Sequence, residues 1–174
     1  IVDAVERYLN SFGKSVVNKS KGILKRKNKV VTGKLLQSIK FRLVKKHDFM
    51  SVVFSMLDYG QFIDKGVSGS KRERTYVDYE GKRKKSPYGY GKSKDGGLTR
   101  GIDKWIVMRG IAPRDAKGRF ISRKSLKFLI ARKIYTQGHD GLSFFQKPLG
   151  LEFRGFVENV GKAIKEDILN NLKQ

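Results

Sequence analysis

Thr32-Gly33-Lys34-Leu35-Leu36-Gln37-Ser38-Ile39-Lys40-Phe41-Arg42-Leu43-Val44 is the stretch on which the fold turns. Thr32 and Gly33 break a long basic run, and Leu35 and Leu36 restart an apolar surface. From Ser38 onward Ile39, Phe41 and Leu43 alternate with Lys40, Arg42 and Val44, the period of a half-buried strand. A polar turn at Lys45 to Asp48 and a second strand-like run from Phe49 to Met56, containing Val52, Val53 and Phe54, follow at once. So short a connection predicts an antiparallel hairpin.

Helical spacing frames this hairpin on both sides. Val2, Val5, Leu9, Phe12 and Val16 recur at three and four residues, which lays one apolar stripe along a helix over 1–17. The basic run from Lys19 to Lys29 has only Ile23 and Leu24 to bury, and is open between a surface that follows a phosphate backbone and a solvated face or loop. At the other end, Val157, Val160, Ile164, Ile168 and Leu172 align on one side of a closing helix from about Leu151 to Leu172, expected to turn that stripe to the core. In between, Thr99 is positioned as the cap of a short helix that includes Ile102, Trp105 and Ile106 and stops at Gly110. After a turn-rich connector at Pro113 to Gly118, Ser122 or Arg123 opens a second helix with Leu126, Leu129, Ile130 and Ile134 in its stripe and Gly138 as its stop. The connection between these two helices is longer than the tight turn of a helix-turn-helix, so they are expected to pack on the sheet as an insertion.

Together these elements predict one α+β domain over 1–174: an antiparallel sheet with N-terminal, inserted and C-terminal helices. A chain of this length buries roughly two-thirds of its unfolded surface, and 39% apolar residues suffice for a core. No apolar run reaches the ~20 residues needed to cross a bilayer, and no signal-peptide pattern opens the chain. It begins at Ile1 rather than Met, so residues before it are expected. With no cysteine, disulfides and thiolate metal sites are excluded together, as suits a reducing cytoplasm.

The formal charge of +23 is distributed unevenly. Residues 14–46 hold twelve Lys or Arg and no acid, 65–94 hold ten against three, and 100–136 hold eleven against two, whereas 137–174 balance five against five. Charge at this density repels itself in a compact monomer unless a polyanion or an acidic protein neutralises it. The stretch at about 67–98 combines repeated Gly and Ser with Lys82-Arg83-Lys84-Lys85 and with tyrosines at 76, 79, 88 and 90. It is expected to be a long basic loop, with a small hairpin around Tyr76 to Lys82 as the ordered alternative. Interleaved cations and rings suit nucleic acid, because cations meet phosphates and rings stack on bases; a flexible arm docking on a neighbouring subunit suits the same composition.

Catalytic chemistry finds no support. His47 and His139 are far apart, each beside an Asp in a turn-like setting, without the second pair of ligands that a metal centre needs. Gly89, Gly91, Gly96 and Gly97 lack the strand before and the helix after that define a phosphate-binding fingerprint. No catalytic, cofactor-binding or metal-ligating residue is assigned, and the chain is expected not to be an enzyme.

Three phrases in order add a resemblance. The opening phrase is similar to the "TG-x-L-x-x-S-I" signature of the small tail-completion, or head-tail joining, proteins of long-tailed double-stranded DNA phages, a superfamily that includes the minor tail protein Z group. Asp58-Tyr59-Gly60-Gln61-Phe62-Ile63-Asp64-Lys65-Gly66 resembles that family's "YA-x-x-x-E-x-G", with Asp64 in place of glutamate. Phe144-Phe145-Gln146-Lys147-Pro148-Leu149 before the closing helix resembles "PF-L-x-P-A-L", with Ser143 where the first proline stands and Leu149 directly after the second. The resemblance covers roughly 1–66 and 142–174 and leaves the middle unexplained. It implies a structural virion protein of the neck or tail, assembled in the host cytoplasm: a six- or twelvefold ring of identical subunits that completes the tail or joins it to the head. It also implies neck, portal or tail-tube neighbours, DNA passing through the lumen on ejection, and no membrane.

On that basis Lys25, Arg26, Lys27, Lys82, Arg83, Lys84 and Lys85 are the expected contacts to DNA phosphates or an acidic partner. Thr32, Gly33, Leu35, Ser38, Tyr59, Phe62, Gly66, Phe144, Phe145 and Pro148 are expected to hold the fold or a subunit interface. The charge fits equally an intracellular, sequence-independent nucleic-acid-binding protein; the ordered phrases favour the virion role.

Overall fold

The protein is described by a computed structural model over residues 3–30, 32–90, 97–115 and 117–173. In chain order its elements are α1 (Asp3–Arg26), α2 (Lys34–Ser38), β1 (Lys40–Lys45), β2 (Met50–Ser55), α3 (Tyr59–Lys65), β3 (Gly66–Ser68), β4 (Thr75–Val77), β5 (Arg83–Lys85), α4 (Gly97–Met108), α5 (Arg123–Gln137), β6 (Gly138–Asp140), α6 (Gln146–Phe153) and α7 (Phe156–Leu172). The fold is α+β, as expected. Its strands form three separate two-stranded pieces, β1–β2, β3–β6 and β4–β5, instead of one sheet built out from the first hairpin. The chain gathers into two compact units: one holds residues up to Gly60, Val77–Lys82 and everything from Ser143, and the other holds Gln61–Tyr76 and Arg83–Leu142.

In the first unit α1 is the central element. Its buried face runs Ala4, Val5, Leu9, Phe12, Val16, Val17, Ser20 and Leu24, so the helix continues through the basic run that sequence left open. Ser20 and Leu24 are the buried residues of that last stretch, Leu24 its apolar anchor, while Lys25 and Arg26 complete the helix at its C-terminal end, where cations are favoured. Val2 lies outside the described residues. Against this face pack β1 and β2, antiparallel in the register Lys40↔Ser55 to Lys45↔Met50. Phe12 is the hub: its ring centroid lies 6.3 Å from Phe54, 6.3 Å from Phe153 and 5.0 Å from Phe156, with edge-on geometry throughout. Phe54 in turn meets Phe145 at 5.3 Å. Gly13 is required beside this hub, because a Cβ there would fall 2.3 Å from the Phe41 ring. The cost of glycine in a helix interior, about 1 kcal/mol, is offset by the close approach of β1.

The closing segment departs from expectation twice. It is two helices, broken at Arg154 and Gly155, so that α6 and α7 each pack on α1 in their own direction. Of the expected α7 stripe, Val157, Ile164, Ile168 and Leu172 are exposed, Val157 at 80% and Leu172 at 78%, while Val160 is half-buried. The buried side of α7 holds Ala163 and Asp167, about a quarter-turn away. Asp167 decides the rotation. Its carboxylate accepts the backbone N–H of Ala4 (2.8 Å) and of Val5 (3.1 Å), the unpaired donors at the start of α1. Burial alone would raise this carboxyl, but the N–H bonds from the α1 terminus and the nearby Arg7 guanidinium hold it below the ordinary aspartate value.

In the second unit β3 and β6 pair antiparallel, Gly66↔Asp140, Val67↔His139 and Ser68↔Gly138. Ser68 also exchanges backbone bonds with 88–90, donating to the Tyr88 carbonyl (2.8 Å) and accepting from Tyr90 N–H (3.0 Å). The expected long loop is described as far as Tyr90 and includes the hairpin β4–β5, the ordered alternative; its turn, residues of the first unit, is closed by the Lys82 N–H donating to Asp78 Oδ1. Residues 91–96 lie outside the described residues. The two inserted helices form a core of their own from Ile102, Ile106 and Ala131, with Leu126, Ile130 and Ile134 partly buried against it. Leu129, expected in that stripe, is exposed. Helix α4 begins at Gly97, ahead of the expected Thr99 cap, and α5 is capped by Ser122, whose hydroxyl accepts the Ser125 N–H.

Two measurements check this account. Phe12→Ala should lower the unfolding free energy by about 3–5 kcal/mol, since it removes the ring on which three others converge; denaturant titration reads this. Asp167→Asn should lower the melting temperature at pH 7, with the gap to the native chain closing in acid. The folded carboxyl has a depressed pKa, so its contribution is complete above the unfolded value near 3.9 and is lost as pH falls through the folded value. A gap that stays constant from pH 7 to pH 2 would contradict the assignment.

Candidate nucleic-acid interface

The residues of the opening phrase come together as a small structural device. Gly33, in the left-handed region at φ 74°, precedes α2, and Thr32 Oγ1 accepts the Lys34 N–H at 3.4 Å. Leu35 and Ile39 are buried. Ser38 Oγ donates to the Leu35 carbonyl (2.8 Å) and accepts the Leu57 N–H (3.1 Å), tying α2 to the residue after the hairpin. A five-residue helix thus stands where sequence expects the approach to a strand, because it is too short to display a period.

The other fold residues divide by burial. Phe144 and Pro148 are fully buried, and Phe145 packs on Phe54. Gly66 has φ 74° and sits so close to β6 that a Cβ would lie 2.4 Å from the Gly141 nitrogen. Tyr59 and Phe62, on α3, are each 42% exposed.

The predicted basic contacts are all exposed and form two sets. Lys25, Arg26 and Lys27 sit at and just beyond the end of α1 in the first unit, where Lys82 also belongs; Arg83, Lys84 and Lys85 are β5 in the second. Lys82 pairs with Glu80 and Lys85 with Glu73, both at 2.8 Å and on the surface. Exposed pairs of this kind contribute ~0–1 kcal/mol and yield readily to another anion. The exposed cations of α5, Lys124, Arg132 and Lys133, were not among the expected contacts; those near its start, Arg123 and Lys127, face Asp103 at 3.4 and 3.9 Å.

A second feature of this unit brings together Tyr88 and Tyr90, singled out in the sequence for stacking, with Phe62, expected only to hold the fold or a subunit interface. Phe62, Val67, Pro87, Tyr88, Gly89, Tyr90 and His139 line an open cleft of about 500 Å³. The Phe62 and Tyr88 rings meet edge to face at 4.6 Å, and the Tyr88 hydroxyl donates to Gln61 Oε1 at 2.6 Å. Partial burial raises the Tyr90 phenol above its usual value, so it is protonated at neutral pH. The signal was present only as scattered aromatics; the pairing of 88–90 with β3, and of β3 with β6, is what unites them.

For chemistry the inventory is plain. His47 is exposed and pairs with Asp48 at 2.7 Å, and Asp140 beside His139 receives Arg74 at 2.9 Å. Among the described residues no three His, Asp or Glu side chains are grouped to hold a metal ion, and no helix is long and apolar enough to cross a membrane.

No protein-family model, curated protein or solved structure matches this chain.

If β5 meets phosphates, replacing Arg83, Lys84 and Lys85 by alanine should weaken duplex DNA binding and make its dependence on log salt shallower by about 0.9 for each phosphate no longer neutralised. Fluorescence anisotropy across a salt series measures both, and unchanged affinity at low salt would remove β5 from the interface. The same series on a Lys25, Arg26, Lys27 triple variant tests the end of α1 independently.

Proposed function

We propose that this chain is a structural virion protein of a phage neck or tail, one subunit of a ring that completes the tail or joins it to the head and lets DNA pass. The observation that carries this reading is the outward apolar stripe of α7. Val157, Ile164, Ile168 and Leu172 are exposed along one side of the helix, and Ile164 also lines an open groove of about 390 Å³ with Val5, Leu9, Phe49 and Met50. A continuous apolar face of this kind is characteristic of an interaction surface.

Charge selects the occupant. Helix α7 has three acids and two lysines, whereas the chain as a whole is +23. With Asp167 turned inward, the exposed acids of α7, Glu158 and Glu166, are balanced by Lys162 and Lys165, so copies that repel one another elsewhere meet here at least electrostatic cost. A head-to-tail contact between unlike faces closes into a ring when its rotation permits. The remaining cations then serve phosphates in transit, acidic neck, portal or tail-tube neighbours, or both. Exposed Lys and Arg provide weak, salt-sensitive contact without base recognition. The three family-like phrases support the same role.

The test is mass spectrometry of phage particles purified through nuclease treatment and a high-salt wash. This chain should be retained at a fixed, ring-like ratio to the portal. Absence from washed particles, with abundance in the infected-cell lysate, would overturn the virion role in favour of an intracellular nucleic-acid-binding protein. Particles assembled with a Val157→Glu, Leu172→Glu variant should lack the chain, although the variant's helix content and melting temperature stay close to native, because Val157 and Leu172 are 80% and 78% exposed.

A further inference from the structure

The aromatic cleft of the second unit is not explained by transit of a duplex, whose base faces are hidden in the stack. We propose that it binds an unpaired base of a single-stranded nucleic acid, with Phe62 and Tyr88 as the stacking platform and the neighbouring cations on its phosphates. The proposal is independent of the virion role, since a ring protein and an intracellular binder can each hold such a site.

Three observations converge on that ligand. The first is the wall itself: two rings at right angles, Phe62 42% exposed, with Pro87, Tyr90 and His139 completing a cleft of a size suited to a nucleoside. A base presents a flat π-face of any sequence, and its stacking on an aromatic side chain contributes ~1–3 kcal/mol.

The second is rigidity. The Tyr88 hydroxyl is held by Gln61, and Ser86 Oγ donates to the Gly66 carbonyl (2.7 Å) and accepts the Tyr88 N–H (3.1 Å). Ser68 locks the backbone on both sides of Gly89. Rings merely filling a gap have no need of this many polar ties, whereas a platform fixed before binding loses little entropy when a base arrives.

The third is charge. The wall from Ser86 to Tyr90 is the direct continuation of Arg83-Lys84-Lys85, and Lys65 precedes β3 on the other side. A polyanion is drawn to this surface, and one with unpaired bases offers a flat ring for the cleft at the same time.

The experiment compares, by fluorescence anisotropy on the full chain, a labelled oligothymidylate of about 12 nucleotides with an oligomer of equal length and charge in which every base is absent. The base-bearing strand should bind at least about 5-fold more tightly, the factor that ~1 kcal/mol of stacking gives. Phe62→Leu, which keeps the apolar volume and removes the π-face, should reduce the base-bearing strand to the abasic level while leaving duplex affinity and both salt slopes unchanged. Equal binding of the two oligomers by the native chain would overturn the proposal without recourse to any variant. It would also be overturned if Phe62→Leu, shown folded by its melting curve, left the difference intact. Competition by a free mononucleotide as effective per base as the strand would overturn it in favour of a nucleotide site.

Discussion

A single carboxylate determines which surfaces this chain keeps and which it offers. Asp167 grips the first free N–H groups of α1 from 163 residues away, joining the two ends of the sequence at one point. Helix starts need an acceptor and favour negative charge, so the contact satisfies both requirements of α1 at once. Because α7 is a rigid rod, turning Asp167 inward turns Val157, Ile164, Ile168 and Leu172 outward. The apolar face that underlies the proposed assembly is thus a geometric consequence of a polar contact. Other ties act in the same sense: Arg7 meets Glu166 at 2.6 Å, and Ser15 and Lys19 both bind Glu152 on α6. Partial burial would raise the Glu152 carboxyl, yet these two partners hold it below its ordinary value.

What was legible in the sequence follows from the range of the forces involved. The α1 stripe and the β1–β2 hairpin are local patterns, written at spacings of three, four and two, and they stand where expected. The continuation of α1 through Lys25 and Arg26 was not legible, because one buried leucine suffices to hold a turn whose composition is almost wholly polar. The five residues of α2 are too few to show a period, and the break at Gly155 is hidden in a segment whose apolar spacing runs on unbroken. The orientation of α7 was the hardest to foresee. Hydrophobic periodicity ranks Val157 and Ile164 above Ala163 and Asp167, but a buried carboxylate with fitting donors outranks all of them.

The candidate site was legible in the same uneven way. Exposed cations are a matter of composition, so Lys25 to Lys27 and Lys82 to Lys85 could be named from sequence. The cleft joins Phe62 to Tyr88 and His139, residues separated by long stretches of chain and brought together only by three-residue strands. Strands that short leave no alternation to detect. Tyr88 and Tyr90 could be named for stacking from composition, but nothing local in the sequence joins them to Phe62 or His139.

Lys82 and Lys85 each rest against a carboxylate of their own chain at 2.8 Å. A phosphate arriving at either one replaces an anion of similar strength, and one leaving is replaced in turn. The exchange is close to level in energy, so a polyanion moving past such side chains meets neither deep wells nor high barriers. Under the proposed role each paired lysine would act as a bearing, keeping a passing strand close while resisting its motion little, and added salt would act on it as a lubricant.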